Sequence, residues 1–253
     1  MQRCTIASLL VHTGKYVEFL DAIVELGRIR QSSYVCVANV HMTIEAYDDP
    51  AFAEIVAGAD LVTPDGMPLL FALKLLHDVR QERVAGMDLI ESILTKAEQE
   101  NLSVYFYGSD TMTLDHIKEK IKERSPRLMI AGMHSPPFRE PTPEERENEI
   151  EEINRSGAHI VMVALGCPKQ EKWMAANKGK IHSVMIGLGA AFPVYAGVKK
   201  RAPEWVRRLS LEWLYRLGQE PGRLWRRYFY TNVKFMLLLG MQIIKKTTAR
   251  VGY

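Results

Sequence analysis

The chain has 253 residues, of which 47% are hydrophobic and 25% charged, and its formal net charge is +3. This composition is ordinary for a folded globular protein and excludes a disordered chain, a collagen-like repeat and a polytopic membrane protein. The length suits one large α/β domain, or a domain of about 200 residues with an appendage. Cys4, Cys36 and Cys167 are widely spaced, lack the pairing of a zinc site and indicate a reducing compartment.

The charge is unevenly distributed along the chain. Residues 199–253 contain 13 Lys and Arg against 3 Asp and Glu, a net charge of +10, so that residues 1–198 carry −7. This shift predicts a core, residues 1–198, followed by a basic C-terminal appendage, residues 199–253. Such a basic segment typically binds phosphate, nucleic acid or an anionic membrane surface.

Short apolar runs alternate with helical periodicities throughout the core. The N-terminal run lacks a long hydrophobic region and a cleavage site, so it is interpreted as a first strand and not as a signal peptide. Further helices are expected to begin near Asp88 and after Thr142, each acting as an N-cap. The alternation predicts an α/β fold with a mainly parallel sheet covered by helices on both faces. The expected strands span residues 6–11, 34–38, 59–63, 103–107, 127–131, 159–165 and 184–186.

Polar residues and glycines follow these strands. Asp65, in the segment Thr63-Pro64-Asp65-Gly66, comes directly after an apolar run, and Asn39 follows the preceding strand. Gly108, Gly166 and Gln170 stand after later strands. Since open α/β sheets bind ligands at the carboxyl edge of their strands, these residues are expected to share one site.

Each of these signals also has a plainer interpretation. Asp65 could cap a turn, because Asp-Gly is common turn chemistry. Arg83, in the loop before the helix at Asp88, could form a surface ion pair, and Gln170 could belong to the first polar turn of a helix after Pro168. The convergence at strand ends is therefore the stronger argument.

The sequence does not support several more specific kinds of site. Gly187-Leu188-Gly189 lacks the third glycine of a dinucleotide fingerprint, and the chain has no Walker motif. Asp48-Asp49 precedes Pro50 in a helix-like segment and is interpreted as a solvated face instead of a metal site. Cys167 has no neighbouring base that would make it a nucleophile. The sequence thus predicts neither a cofactor nor a metal.

The appendage combines tryptophans and arginines in helical segments that break at Glu220-Pro221-Gly222. An apolar run, residues 233–244, then ends at Lys245-Lys246. This run is shorter than the ~20 residues of a membrane-spanning helix, so it predicts an interfacial helix on an anionic leaflet. The alternatives are a core-packing helix or a contact between copies of the chain in a homo-oligomer.

Several motifs in fixed order along nearly the whole chain resemble those of the WecG/TagA/CpsF glycosyltransferases, glycosyltransferase family 26. The resemblance rests on Val37-Ala38-Asn39, Thr63-Pro64-Asp65-Gly66, Glu82-Arg83-Val84-Ala85-Gly86-Met87-Asp88, Gly166-Cys167-Pro168-Lys169-Gln170-Glu171-Lys172-Trp173, Gly187-Leu188-Gly189-Ala190-Ala191-Phe192, Arg201-Ala202-Pro203-Glu204-Trp205, Leu211-Glu212-Trp213-Leu214-Tyr215-Arg216-Leu217 and Glu220-Pro221-Gly222-Arg223-Leu224-Trp225-Arg226-Arg227-Tyr228.

The resemblance implies an inverting, metal-independent enzyme that moves a sugar from a UDP-sugar to a polyprenyl-diphosphate-linked sugar. It implies a Rossmann-like core, a membrane-associated appendage that completes the site, no nucleic-acid partner, and a peripheral location on the cytoplasmic face of the bacterial inner membrane. The implied product belongs to a polysaccharide or cell-wall polymer. By motif, Asp65 would be the general base; Asn39, Arg83 and Gln170 would hold substrate; Arg216, Arg223 and Arg226 would face the diphosphate; and Gly108, Gly166, Gly187 and Gly189 would bind the nucleotide.

Two departures from the family pattern leave the transferred sugar open. Val37 stands where members with teichoic-acid linkage activity have Thr, and Pro193 stands where many members have Asp. N-acetylmannosamine is then one option beside a hexose or a uronic acid. Two other functions also stay open, a nucleotide-sugar-modifying enzyme of the epimerase or dehydrogenase type and a non-catalytic membrane-binding adaptor.

Overall fold

The fold is taken from a computed structural model that describes residues 1–137, 139–208 and 211–251. The side chains of residues 207, 208, 223 and 249–251 also lie outside the described part. The strands are β1 Gln2–Ile6, β2 Leu9–Thr13, β3 Ser33–Ala38, β4 Leu61–Pro64, β5 Ser103–Gly108, β6 Met129–His134, β7 Ile160–Ala164 and β8 Val184–Gly187. The helices are α1 Tyr16–Arg28, α2 Val40–Asp48, α3 Pro50–Ala57, α4 Met67–His77, α5 Gly86–Gln99, α6 Thr111–Arg124, α7 Pro143–Ser156, α8 Lys169–Asn177, α9 Ala191–Tyr195, α10 Glu204–Arg208, α11 Glu212–Gln219 and α12 Pro221–Val251.

The centre of the molecule is a six-stranded, wholly parallel sheet in the order β4-β3-β8-β7-β5-β6. Alternate residues of β3 enter opposite faces: Cys36 and Ala38 join a core with α2, α3, α4, α8 and α12, whereas Val35 and Val37 join one with α1, α5, α6 and α9. Both faces are apolar because helices cover both. The predicted α/β fold with a Rossmann-like parallel sheet is confirmed.

The expectation of one first strand over residues 6–11 is wrong. The segment instead contains the turn of an antiparallel hairpin, in which β1 and β2 form a separate two-stranded sheet. Ala7 takes a left-handed conformation with φ of 53° in this two-residue turn. His12 of β2 accepts a 3.0 Å hydrogen bond at Nδ1 from the backbone of Val62, so the hairpin braces β4. Burial, helped by Arg3, lowers the pKa of His12 to about 4.

Two predicted helix starts differ in outcome. Thr142 caps α7 and forms a capping box with Glu145, as expected. Asp88 does not cap α5, because that helix begins at Gly86 with Ala85 as its N-cap. Asp88 therefore lies in the first turn, where a carboxylate is favoured near the helix N-terminus and pairs with Arg201 of the appendage.

The appendage folds back over the core. As predicted, the chain breaks near Glu220, since α11 ends at Gln219 and α12 begins at Pro221. One face of α12 packs on α2 and α4 and buries Phe235, Leu238 and Leu239. The opposite face exposes large apolar side chains, namely Trp225, Phe229, Val233, Met236, Leu237, Met241 and Ile244.

The apolar run thus packs on the core along one face, as the core-packing alternative states, and leaves a second apolar face open. Within the described ranges, no helix is both long and apolar enough to cross a membrane. The division of the chain at residues 198 and 199, and the interfacial role of α12, stay predictions.

Candidate active site

Asp65 lies at the carboxyl edge of the sheet because of the register between two parallel strands. Ala38 of β3 pairs with Pro64 of β4, so Asn39 and Asp65 follow as the next residues on neighbouring strands. The backbone N–H of Asp65 donates a 2.8 Å hydrogen bond to the Ala38 carbonyl. The sequence prediction that these two residues meet at one edge is confirmed.

Asn39 has a structural role that explains its conformation. It is the N-cap of α2, and its side-chain Oδ1 accepts a 3.2 Å hydrogen bond from the backbone of Met42. A capping side chain of this kind satisfies a helix N–H that has no partner within the helix. A direct contact between Asn39 and substrate stays a prediction.

The loop before α5 carries Arg83 to Asp65. The backbone of Val84 fixes this loop against the end of β4, donating a 3.0 Å hydrogen bond to the Pro64 carbonyl and accepting one of 3.3 Å from the buried hydroxyl of Thr63. Arg83 Nε then lies 3.5 Å from Asp65 Oδ1. Arg83 does form an ion pair, as the plainer interpretation states, but with the candidate base.

The surroundings of Asp65 suit a proton acceptor. Its side chain is 28% exposed, so a substrate hydroxyl can reach the carboxylate. Desolvation raises the pKa of Asp65 to about 6, although Arg83 and Arg216 both favour the charged form. A base whose pKa lies near neutral pH is ionised at working pH and still binds a proton strongly.

Helix α11 brings two appendage side chains to this edge. Arg216, predicted to face the diphosphate, is half-buried and close enough to lower the pKa of Asp65. Glu212 accepts a hydrogen bond from the Nη2 of Arg83 and was not a predicted site residue. The sequence did contain a signal for Glu212: it stands four residues before Arg216, and residues four apart on a helix share a face.

A second group of predicted residues meets at the ends of β7 and β8. Gln170 is 5% exposed, and its Oε1 accepts a 3.2 Å hydrogen bond from the backbone of Gly166. Its Nε2 donates a 2.8 Å hydrogen bond to Glu171. A Cβ at Gly187 would lie 2.8 Å from Nε2, and one at Gly189 would lie 3.1 Å from Oε1.

Gly187, the last residue of β8, and Gly189 therefore provide the space that the Gln170 amide occupies. This gives a structural reason for Gly187 and Gly189, whereas their predicted nucleotide contact stays untested. Gly166 has a φ of 79°, and no other described heavy atom lies within 4 Å of where its Cβ would be. Gly108 ends β5 and pairs with Ala164 at the same edge.

Gly187→Ala should displace the Gln170 amide, since the added methyl group overlaps it. Gln170 is predicted to hold substrate, and small misplacements of such a group are costly, so we expect kcat/KM of the predicted transfer reaction to fall roughly 10- to 100-fold. Gly240→Ala in α12 is the control, as its Cβ would meet no other described atom within 4 Å. Equal activities of the two variants in a transfer assay would contradict this role of Gly187.

Two further appendage arginines, Arg226 and Arg223, are predicted to face the diphosphate. Arg226 is exposed on α12, with its guanidinium carbon 5.6 Å from the centre of the Trp225 ring. The side chain of Arg223 lies outside the described residues. The predicted contact of both arginines with a diphosphate stays a prediction.

Titratable side chains beyond the predicted set also lie near this edge. His41 of α2 is 3.6 Å from Glu45. Burial lowers the pKa of His41, and the charge of Arg227 on α12 lowers it further. Burial raises the pKa of Glu171 and of the Cys167 thiol. A thiol with a raised pKa is a poor nucleophile, which agrees with the sequence interpretation of Cys167.

The Asp48-Asp49 pair has structural partners. Asp49 caps α3 by accepting hydrogen bonds from Ala51 and Phe52, and Asp48 pairs with Lys234 of α12. Across residues 1–137, 139–208 and 211–251, no three His, Cys, Asp or Glu side chains are grouped to hold a metal ion. Metal independence of the reaction stays a prediction.

Comparison with known proteins matches the amino-acid sequence to a family. Residues 4–249 match the sequence profile described as the glycosyl transferase WecG/TagA/CpsF family. The chain belongs to this family. The glycosyltransferase therefore carries its candidate base, Asp65, at the sheet edge in the company of Arg83 and Arg216. Family membership favours glycosyl transfer over a nucleotide-sugar-modifying enzyme or a non-catalytic adaptor.

Two curated relatives cover most of the glycosyltransferase. A protein from Bacillus spizizenii named N-acetylglucosaminyldiphosphoundecaprenol N-acetyl-beta-D-mannosaminyltransferase is 33% identical over 198 residues, 78% of this chain and 75% of that protein. The protein of the same name from Bacillus subtilis is 29% identical over 250 residues, 98% of this chain and 95% of that protein.

Proposed function

We propose that this glycosyltransferase moves N-acetylmannosamine from a UDP-sugar to N-acetylglucosamine linked to a polyprenyl diphosphate. The observation that supports the reaction type most directly is Asp65, whose pKa is raised to about 6 at an accessible sheet edge beside Arg83. The names of the two relatives support the choice of sugar and acceptor. Val37 and Pro193, the two departures from the family pattern, are the reason for testing the donor with a panel of UDP-sugars.

The proposed reaction is a single displacement with inversion. Asp65 accepts the proton of the acceptor hydroxyl while that oxygen forms a bond to the anomeric carbon of the donor. The bond from this carbon to the UDP oxygen breaks, and its electron pair leaves with UDP. An α-configured UDP-sugar then gives a β-linked product, which is the linkage in the relatives' names.

Positive charge from the appendage supports the diphosphate part of the proposal. Arg216 lies near Asp65, and the net charge of residues 199–253 is +10. Fixed guanidinium groups stabilise the negative charge that develops on a leaving diphosphate and neutralise that of the acceptor. We therefore infer that the appendage completes the active site and that catalysis needs no metal.

The test of the function is a transfer assay with the full chain. Short-chain polyprenyl diphospho-N-acetylglucosamine serves as acceptor, and a panel of UDP-sugars is screened for UDP release with a chelator present. We expect turnover with UDP-N-acetylmannosamine and a β-linked disaccharide by NMR. Turnover with a different UDP-sugar alone would replace N-acetylmannosamine as the assigned sugar. Absence of turnover with every donor would refute the proposal.

The exposed face of α12 supports a peripheral position on an anionic membrane. Its apolar side chains stand beside exposed basic residues, including Arg226 and Lys245, which is the pattern of an interfacial helix. Such a position would bring the site to a lipid-linked acceptor on the cytoplasmic face. Self-association of the chain through this face is the competing expectation.

The membrane proposal predicts sedimentation with anionic vesicles that weakens as salt concentration rises. Met236→Glu with Leu237→Glu places two charges on the exposed face of α12 and should lower vesicle affinity roughly 10- to 100-fold. The control pair is Val17→Glu in α1 with Ile29→Glu directly after it, whose side chains are 52% and 56% exposed against 64% for Met236 and Leu237. Similar losses in both pairs, or binding by neither parent nor variants, would count against an α12 docking face.

A further inference from the structure

Arg83 is shared between two carboxylates from different parts of the chain. Its Nε faces Asp65 at 3.5 Å, whereas its Nη2 donates a hydrogen bond to Glu212 in the first turn of α11. The three side chains are 22%, 28% and 20% exposed, in the order Arg83, Asp65 and Glu212. Charges at this depth are screened by solvent less than those of a surface ion pair.

We propose that Glu212 is a positioning residue for the sugar transfer: it holds one edge of the Arg83 guanidinium and so sets how closely Arg83 pairs with the base Asp65. The inference deepens the proposed function and rests on it for the role of Asp65 as base. It assigns a second charged appendage residue, of opposite sign to Arg216, to the site.

The geometry at Asp65 carries this inference. An unshared guanidinium tends to pair with a carboxylate through two parallel N–H bonds of about 2.7–2.9 Å. Here the closest contact of the guanidinium with Asp65 is at Nε and is 3.5 Å long, while Nη2 donates to Glu212. The long contact leaves the carboxylate oxygens of Asp65 available to an acceptor hydroxyl.

The charge of Glu212, like its contact with Arg83, favours a higher proton affinity of Asp65. Arg83 and Arg216 stabilise the ionised form of Asp65, and Glu212 disfavours it. Burial disfavours the charged form of Arg83, but Asp65, Glu212 and Asp88 of α5 outweigh it and raise the pKa of the guanidinium. Removing Glu212 would leave Arg83 free to pair fully with Asp65 and would remove a repelling charge, so both changes lower the proton affinity of the base.

This arrangement makes the strength of the base depend on docking of the appendage. Glu212 reaches Arg83 only when α11 lies against the loop before α5, 129 positions away in the chain. With α11 undocked, Arg83 would be free to pair fully with Asp65, and the opposing charges of Glu212 and Arg216 would both leave the sheet edge. The transfer site is then complete only when the appendage is folded on the core.

The test uses two variants of the full chain that separate charge from contact. Glu212→Gln keeps an oxygen that can accept from Arg83 but removes the charge, and Glu212→Ala removes both. Glu91→Gln is the matched control, since Glu91 also faces the appendage, 4.0 Å from Arg201, but its ion-pair partners are Arg201 and Arg124 and not Arg83. Thermal melting of each variant checks that the appendage remains folded.

The primary measurement is the titration of Asp65 in the ligand-free protein by carboxyl ¹³C NMR, with the signal assigned through Asp65→Asn. We expect the midpoint near pH 6 to fall by roughly 0.5–1 unit in Glu212→Gln and by at least as much in Glu212→Ala. Glu91→Gln should leave it unchanged. An unchanged or raised midpoint in both Glu212 variants would overturn the inference.

Activity then links the titration to transfer. The acidic limb of the kcat profile should move down by the same amount, and kcat at its plateau should fall about tenfold, with little change in KM for the donor. A shifted titration without a shifted limb would overturn the role of Glu212 in transfer. Because the NMR titration needs no substrate, an inactive parent enzyme would refute the proposed function separately.

Discussion

Asp65→Asn is expected to lower kcat for sugar transfer about 10²- to 10⁴-fold, the usual contribution of a general base, while UDP still binds. The substitution keeps the shape of the side chain and removes its capacity to accept the hydroxyl proton. Single-turnover kinetics measure the loss, and calorimetric titration with UDP measures binding. Asp21→Asn, on an exposed carboxylate of α1, is the control and should have full activity.

The same substitution should stabilise the fold above pH 6. Since the pKa of Asp65 is raised from 3.8 to about 6, the folded state binds more protons than the unfolded state between these values, and stability of the parent falls as pH rises through them. Asp65→Asn lacks this titration. We expect a gain of about 1–2 kcal/mol at pH 8 that is lost as pH falls from 6 to 4.

Loss of activity combined with gained stability would identify Asp65 as a residue kept for chemistry and not for folding. Full turnover of Asp65→Asn would instead assign proton removal to another group. A lower melting temperature at pH 8 would show that the ion pair with Arg83 contributes more than desolvation costs.

The sequence was sufficient to predict the parallel sheet and the residues that its strands bring to the carboxyl edge. Buried parallel strands are continuous apolar runs, so β3, β4, β5, β7 and β8 could be located and their carboxyl ends compared. Asp65 and Asn39 follow adjacent strands, which makes their proximity a consequence of register. Gly187 at the end of β8 and Gly189 could be found from the sequence, but their role could not, because the space beside them is filled by Gln170 of α8.

What the sequence could not supply was contact between distant segments. Glu212 reaches Arg83 across 129 positions, and no local pattern encodes that pairing. Asp88 was expected to cap a helix, yet a tertiary partner, Arg201, engages it within the first turn. The N-terminal run was divided by a two-residue turn at Ala7, where a non-glycine residue takes a left-handed conformation that propensity disfavours.

Truncation after Lys200 is expected to lower transfer at least 100-fold, because it removes Glu212 and Arg216 from the edge that holds Asp65. UDP should still bind if the glycines at the ends of β5, β7 and β8 form its site. The structure adds that loss of α12 uncovers the face on which Phe235, Leu238 and Leu239 pack.

Burial of each of these three side chains stabilises the fold by about 1.5–3 kcal/mol. Truncation removes them and exposes the apolar strip on α2 and α4 against which they pack. We therefore expect the truncated core to self-associate on size-exclusion chromatography. Arg216→Ala in the full chain keeps that strip covered and separates the two effects: it should remain as monodisperse as the parent while losing roughly 10- to 100-fold in kcat/KM. A truncated core with full activity would show that the appendage is only an anchor. A fully active Arg216→Ala variant would show that Arg216 has no role in transfer.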